Sequence, residues 1–164
     1  MEQSREPLEL SPENLQFIEN IAVFYEAYGI PRIGGRIFGL LLIADRPLPA
    51  ETIAGLLSAS RGSISTNMQR LITNGWVEKV TFTGDRAEYF RFSPLAWERV
   101  LEHRMRGLAP LKQIAAQGRA SLPAEHPARP QLDDMVAWVE LQIQAHKTMI
   151  EAWQEQRGQK DSEA

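Results

Sequence analysis

Residues 58–71 read SASRGSISTNMQRL. Placed on a helix at 100° per residue, Ile64, Met68, Leu71 and Ile72 share one face, and Gly62, Ser63, Thr66, Gln69 and Arg70 lie opposite. A face of hydroxyls, one amide, glycine and arginine gains little from burial, but it is well made for donating and accepting hydrogen bonds. Short side chains let a helix backbone sit deep in the DNA major groove, and Gln and Arg reach base edges and phosphates. Gly62, Ser63 and Thr66 give clearance, and Gln69 and Arg70 give reach. Arg61, at the entrance of the helix, is better placed for phosphate than for bases, as are the free amides of the first turn. By residue type alone, such a face also suits plain solvation or a protein partner.

Other chemistry finds less support. The chain has no cysteine, which excludes disulfides, thiolate nucleophiles and cysteine-rich zinc sites. His103, His126 and His146 are scattered without metal-ligand spacing, and the pair Asp133 and Asp134 is expected in the first turn of a helix, where it complements the dipole. No metal or cofactor is expected. Gly34, Gly35 and Gly39 follow no strand and precede no GK[ST], so they are expected to let helix backbones approach closely rather than to cradle phosphate. The serines around Arg61 have no histidine near them in sequence, so no enzyme is expected. Trp97, Trp138, Trp153 and Tyr28 have the chemistry of a cage for a cationic ligand but are expected in the core. His146 is expected as a core or interface histidine.

The elements that must position the polar face follow from punctuation and periodicity. Ser11 and Pro12 start a helix with Leu15, Ile18, Ala22 and Tyr25 inward, and Gly29 stops it. After Pro31 a second helix carries Ile33, Ile37, Leu40, Leu41 and Ala44 up to the turn-like DRPLP. Ala50 to Leu57 form a short third helix, with Ile53, Leu56 and Leu57 inward. A tight three-residue connection leads to the polar-faced helix, Arg61 to about Asn74, which Ser60 can cap and Gly75 ends. WVEKVTF and AEYFRF, joined by TGDR, predict a two-stranded hairpin. A short helix, a tight turn, a second helix and a hairpin make a winged helix-turn-helix. Arg86 at the hairpin tip, with Lys79 and Arg91 on its strands, is expected to reach DNA backbone or minor groove.

From Ser93 and Pro94 a long helix runs with Leu95, Val100, Leu101, Met105, Leu108, Leu111 and Ile114 on its apolar side, kinked at Pro110. SLPAEHPARPQ is a connector. A last helix, about Gln131 to Gln156, has one apolar stripe at Leu132, Met135, Val136, Val139, Ile143, His146, Ile150 and Trp153, and a second at Trp138, Leu141, Ala145 and Met149.

The 164 residues suit one domain with an extension, and 43% apolar with 24% charged residues is ordinary globular usage. MEQSREPLEL lacks the charge and apolar order of a signal peptide, and FGLLLIA is too short to span a bilayer, so a soluble, cytoplasmic protein without membrane contact is expected. The net charge of −3 is unevenly spread: residues 1–30 carry one base and six acids, residues 31–92 eight bases and five acids, and residues 93–164 nine bases and ten acids. Only the middle segment is basic, and a local footprint rather than the total attracts phosphates.

The segment YGIPRIGGRIFGLLLIADRPLPAETIAGLLSASRGSISTNMQRLITNGWVEKV resembles the winged helix-turn-helix of the MarR superfamily of transcriptional regulators, and more closely its GbsR-like branch. The resemblance is carried by GIPRIGGRIFGLLL, LPAETIAGLL, SRGSIS and NGWVEKV and spans roughly residues 21–92. It implies a mainly α fold with a small β-hairpin wing. It also implies a dimerisation helix in residues 1–30, a DNA-binding domain in 31–92 and a C-terminal helical dimerisation region in 93–164. DNA would be met by Arg61, Ser63, Ser65, Thr66, Gln69 and Arg70 of the recognition helix and by Arg86 of the wing. Some members of that branch respond to choline-type osmoprotectants, but no motif here carries that over.

Independently of the resemblance, the doubly apolar last helix and Ile21, Phe24 and Tyr28 of the first leave more apolar surface than one small core hides. The expectation is therefore a homodimeric repressor that binds double-stranded DNA at a pseudo-palindromic operator, its recognition helices ~34 Å apart, with room for a small-molecule effector of unknown identity. A winged-helix protein-interaction module is the alternative.

Overall fold

The structure, a computed structural model, describes residues 8–163, with side chains through Gln159. Residues 1–7, on which the expectation of no leader partly rests, and Ala164 lie outside the described residues. The elements are α1 (Pro12–Glu26), α2 (Arg32–Ile43), β1 (Leu48–Pro49), α3 (Ala50–Leu56), α4 (Arg61–Thr73), β2 (Val77–Val80), β3 (Tyr89–Phe92), α5 (Ala96–Ser121) and α6 (Arg129–Glu163). They form two compact units, residues 1–96 and 97–164.

In the first unit α1 begins where sequence punctuation puts it. The Ser11 hydroxyl accepts from the Asn14 amide and the Asn14 side chain accepts from the Ser11 amide, a reciprocal cap, with Pro12 at the first helical position. Gly29, at φ +80°, ends the run in a left-handed turn. α1 then lies tight against α2. A Cβ on Gly35 would stand 2.6 Å from the Ala22 Cα, and one on Gly39 would stand 3.2 Å from the Ile18 Cα. The glycines are thus backbone contact points, and Ile18 and Ala22 are buried there. Leu15, expected inward, is exposed.

Polar contacts lock the same pair: Glu19 of α1 accepts from Arg32 at 3.0 Å and from Arg36 of α2. Partial burial works against the Glu19 carboxylate, but the hydrogen bonds and charges of the two arginines outweigh it and hold its pKa below the usual value. Behind the helices Phe38 meets Tyr25, Trp76 and Phe92 at centroid distances of 4.8, 5.0 and 5.4 Å, the last two edge-on. Each such pair adds about 0.5–1.5 kcal/mol beyond its buried area, and this cluster ties α1, α2 and the sheet into one core.

The sheet has three antiparallel strands in the order β1-β3-β2, not the expected two. Leu48 pairs with Phe90 and Pro49 with Tyr89, so part of DRPLP is an edge strand rather than only a turn. Two residues are too few to show alternation in sequence, and a proline without an amide is tolerated on an edge. The β2–β3 ladder runs from Val77↔Phe92 to Val80↔Tyr89, shorter than the expected strands. Residues 81–88 form the connecting loop, all exposed, with Gly84 at φ +84°.

The second unit holds α5 and α6. Their ion pairs, Glu98 with Arg157, Lys112 with Glu140 and Arg119 with Asp133, run in opposite senses along the two helices, which makes them antiparallel. Helix α5 starts two residues after Pro94 and continues through Pro110. Helix α6 starts earlier and ends later than expected. Asp133 and Asp134 therefore lie past its first turn, and Asp133 pairs with Arg119 instead of serving the dipole. Val139 is buried and the rest of the first stripe half-buried. Ile114, expected inward on α5, is exposed. Trp97, Trp138 and Tyr28, expected in the core, are also exposed. The second stripe of α6 is open, with Trp138 at 61%, Leu141 at 60% and Met149 at 56%. His146, half-buried on the first stripe, places Nδ1 2.6 Å from the Gln142 carbonyl. No helix among the described residues is long and apolar enough to cross a membrane.

Candidate nucleic-acid interface

Helices α3 and α4 are joined by a turn in which Ser58 adopts φ +49°, a conformation rarely taken by residues other than glycine. The Ser58 amide bonds to the Gly55 carbonyl and the Ala59 amide to the Ala54 carbonyl, closing the end of α3. Ser60 then caps α4, its hydroxyl accepting from the Ser63 amide at 3.2 Å. Ile53, Leu57, Ile64, Met68 and Leu71 are buried between the helices, so the outer face of α4 is held by packing beneath it.

The seven residues expected to meet DNA fall into three groups. Ser65, Thr66, Gln69 and Arg70 of α4 and Arg86 of the loop are exposed, and no hydrogen bond or ion pair engages their side chains among the described residues. Arg61 is exposed but paired with Glu51 of α3 at 2.6 Å. Ser63 departs from the expected outward placement. It is half-buried, because it stands over Asn67, whose amide donates to the Ser63 carbonyl at 2.9 Å.

Asn67 is the residue that the sequence reasoning passed over. It is only 6% exposed, and its Oδ1 has no hydrogen-bond partner. A Cβ on Gly34 would stand 3.1 Å from that oxygen, so the amide is wedged against α2. The signal was present: 64, 67, 68 and 71 are the i, i+3, i+4, i+7 positions of one stripe. Glu51 was missed as well, since its partner lies ten residues away across the turn.

The sheet supports α4 from one side. Lys79 pairs with Glu88, and Arg91 pairs with Glu78, its directly opposite residue in the ladder. Both cations, expected to reach DNA, are exposed and already paired, Arg91 across the ladder, as cross-strand partners favour, and Lys79 with a residue of the connecting loop. In the loop, the Asp85 carboxylate accepts from the Ala87 amide at 2.8 Å and from the Tyr89 hydroxyl at 2.6 Å. The Tyr89 ring meets Phe82 edge-on at 4.9 Å.

Two concavities flank α4. One, of about 570 Å³, lies toward the sheet with Ile64, Met68 and Phe90 among its walls and the Arg61–Glu51 and Lys79–Glu88 pairs at its rim. The other, of about 410 Å³, lies toward the α1–α2 turn between Ile30, Pro31, Thr66 and Arg70. A convex helix with short, unengaged polar side chains, unpaired arginines on it and on the adjacent loop, and a cap at its N-terminus has the shape and chemistry of a major-groove reader.

No family model matches the chain. The HTH-type transcriptional regulator MmpR5 of Mycobacterium tuberculosis is 34% identical to it over 134 residues, 79% of this chain and 81% of that protein. A crystal structure of a transcriptional regulator superposes with a TM-score of 0.79 at 30% identity, covering 88% of this chain and 99% of that one. Apo MarR from E. coli is a more distant neighbour, at a TM-score of 0.41 and 16% identity over 84% of this chain and 98% of that one. The relative at 34% identity and the winged helix-turn-helix described above lead to one conclusion: the chain belongs to the HTH-type transcriptional regulators.

Proposed function

We propose that this regulator is a repressor that binds a pseudo-palindromic operator as a homodimer, and that it falls in the GbsR-like branch. The observation that carries the DNA reading is the set of exposed, unengaged side chains Ser65, Thr66, Gln69 and Arg70 on a helix anchored from behind, next to a loop bearing the unpaired Arg86. Gln69 and Arg70 read base edges, while Ser65 and Thr66 keep the helix close to the groove floor. Arg86 meets the phosphate backbone. Arg61 and Ser63 act at the helix entrance, Arg61 on phosphate after leaving Glu51 and Ser63 through its neighbourhood rather than its half-buried side chain.

The dimer reading rests on the open stripe of Trp138, Leu141 and Met149 on α6, and on Phe24 and Tyr28 of α1, apolar surface that a second copy would cover. Residues 1–30 and 93–164 supply the dimerisation helices on this reading, and residues 31–92 the DNA-binding domain. The flanking concavities, both within the size of small-molecule sites, would let an effector compete with DNA for α4.

The test is fluorescence anisotropy on DNA upstream of the protein's own gene and on a random duplex, across a salt series. Arg70→Ala and Gln69→Ala are expected to weaken binding to the specific site by roughly 5- to 100-fold with little change on random DNA, and Arg86→Ala to weaken both alike. Absence of binding even at low salt would instead favour a module that docks on protein.

A further inference from the structure

The loop that carries Arg86 lacks the support a wing usually has. The ladder ends at Val80 and Tyr89, so residues 81–88 extend past the last cross-strand pair and are exposed throughout. One backbone bond within the loop, from the Asp85 amide to the Phe82 carbonyl at 3.1 Å, closes its tip. An arginine on so open a loop gives up much of its conformational freedom when it meets a phosphate, unless something else has already ordered it.

Asp85 supplies that order. One carboxylate oxygen accepts from the Ala87 amide at 2.8 Å, which closes an Asx turn with Arg86 at its centre. The other accepts from the hydroxyl of Tyr89 at 2.6 Å, and Tyr89 is buried in that last cross-strand pair. The Phe82 ring, from the other arm of the loop, packs edge-on against Tyr89. The turn around Arg86 is thereby fastened to the sheet through one carboxylate and one phenol.

We propose that Asp85 and Tyr89 are positioning residues of the wing, and that their hydrogen bond holds Arg86 ready for a DNA phosphate. The proposal rests on the DNA reading of Arg86 given above. It assigns no contact with DNA to either residue. Their action passes through the arginine, so removing the hydroxyl should cost only the binding that Arg86 provides.

The test measures the full-length protein by anisotropy on a random-sequence duplex between about 50 and 200 mM salt. Tyr89→Phe keeps the buried ring and is expected to weaken binding roughly three- to tenfold, and to lower the slope of log K against log[salt] by up to about 0.9 for each wing engaged, the value of one phosphate contact. Arg86→Ala should do the same, and the double variant should be no weaker than Arg86→Ala alone. Asp85→Ala and Asp85→Asn remove the same charge, but only asparagine keeps an acceptor for the Ala87 amide, so Asp85→Asn should bind severalfold more tightly than Asp85→Ala. Additive losses in the double variant, an unchanged salt slope in Tyr89→Phe, or equal binding by the two Asp85 variants would each overturn the proposal. If the wild-type protein fails to bind the duplex at all, the DNA reading falls first. Wild-type binding with an inert Tyr89→Phe overturns the positioning role alone. Melting curves identify a misfolded Asp85→Ala, in which case the Tyr89→Phe salt slope and its coupling to Arg86→Ala decide.

Discussion

Gly35→Ala tests the contact that joins the first helix to the rest of the first unit. Alanine in place of glycine inside a helix normally adds about 1 kcal/mol of stability. At Gly35 the new Cβ would stand 2.6 Å from the Ala22 Cα, 3.2 Å from its carbonyl oxygen and 3.3 Å from its Cβ. Carbon atoms in contact prefer about 3.5–4.0 Å, so α1 and α2 must part by about 1 Å, and the opposing atoms are backbone that cannot rotate aside. That movement also loosens Ile18 and Ala22 and stretches the Glu19 pairs with Arg32 and Arg36. Overpacking against backbone falls in the upper part of the usual range, about 2–3 kcal/mol, which leaves a net loss of about 1–2 kcal/mol after the gain in helix propensity. For a chain of this size that is a fall of roughly 2–8 °C in Tm. The control is Gly107→Ala in α5, where nothing lies within 4 Å of the new Cβ and stability should rise by up to about 1 kcal/mol. Thermal unfolding followed by circular dichroism gives both values. A Gly35→Ala variant as stable as the wild type, or stabilised as much as Gly107→Ala, would refute the close-approach account of the glycines.

Three further outcomes are expected. The folded-state pKa of Glu19 lies below its unfolded value, so its contribution is fully present above about pH 4.5 and is lost as pH falls through the folded value; in melting curves from about pH 6 down to about pH 2.5, the advantage of wild type over Glu19→Gln should shrink, and a constant difference would show that Glu19 carries no such linkage. Ser58→Gly relieves a left-handed residue at the α3–α4 turn and should stabilise by about 0.5–1 kcal/mol, read as a higher urea midpoint at unchanged slope; a lower midpoint would mean that the serine side chain earns its place. On the dimer reading, Trp138→Glu should weaken self-association by about 2 kcal/mol, roughly 30-fold, in sedimentation at micromolar concentration, and an unchanged association constant would put the interface elsewhere.

The parts of the fold that could be read in advance are those fixed by local chemistry. Ser11 with Pro12, Gly29, Ser60 and Gly75 mark helix ends because capping and left-handed turns are satisfied within a few residues. The stripe of Ile64, Met68 and Leu71 declared the buried side of α4 by periodicity alone. What escaped depends on partners distant in sequence. Leu48 and Pro49 are a strand only because β3 offers a free edge some forty residues later. Arg61, Lys79 and Arg91 looked like free cations because Glu51, Glu88 and Glu78 reach them only once the turn and sheet have formed. Trp138 has the residue type of a core side chain, but residue type says nothing about what faces it, and helical spacing says only which residues share its face.

Those three carboxylate-bound cations bear on how tightly the protein would hold DNA as ionic strength changes. A guanidinium that leaves a carboxylate for a phosphate frees an ion from the DNA but exposes an anion on the protein, which gathers a cation of its own. The exchange is nearly neutral in ions released, whereas Arg86, with no carboxylate to give up, releases close to a full counterion where it meets a phosphate. The salt sensitivity of binding would therefore follow the unpaired arginine of the wing rather than the eight basic residues of the 31–92 segment. Grip on nonspecific DNA would fade less steeply with salt than the charge of that segment suggests, and more of the discrimination between sites would fall to hydrogen bonds at base edges.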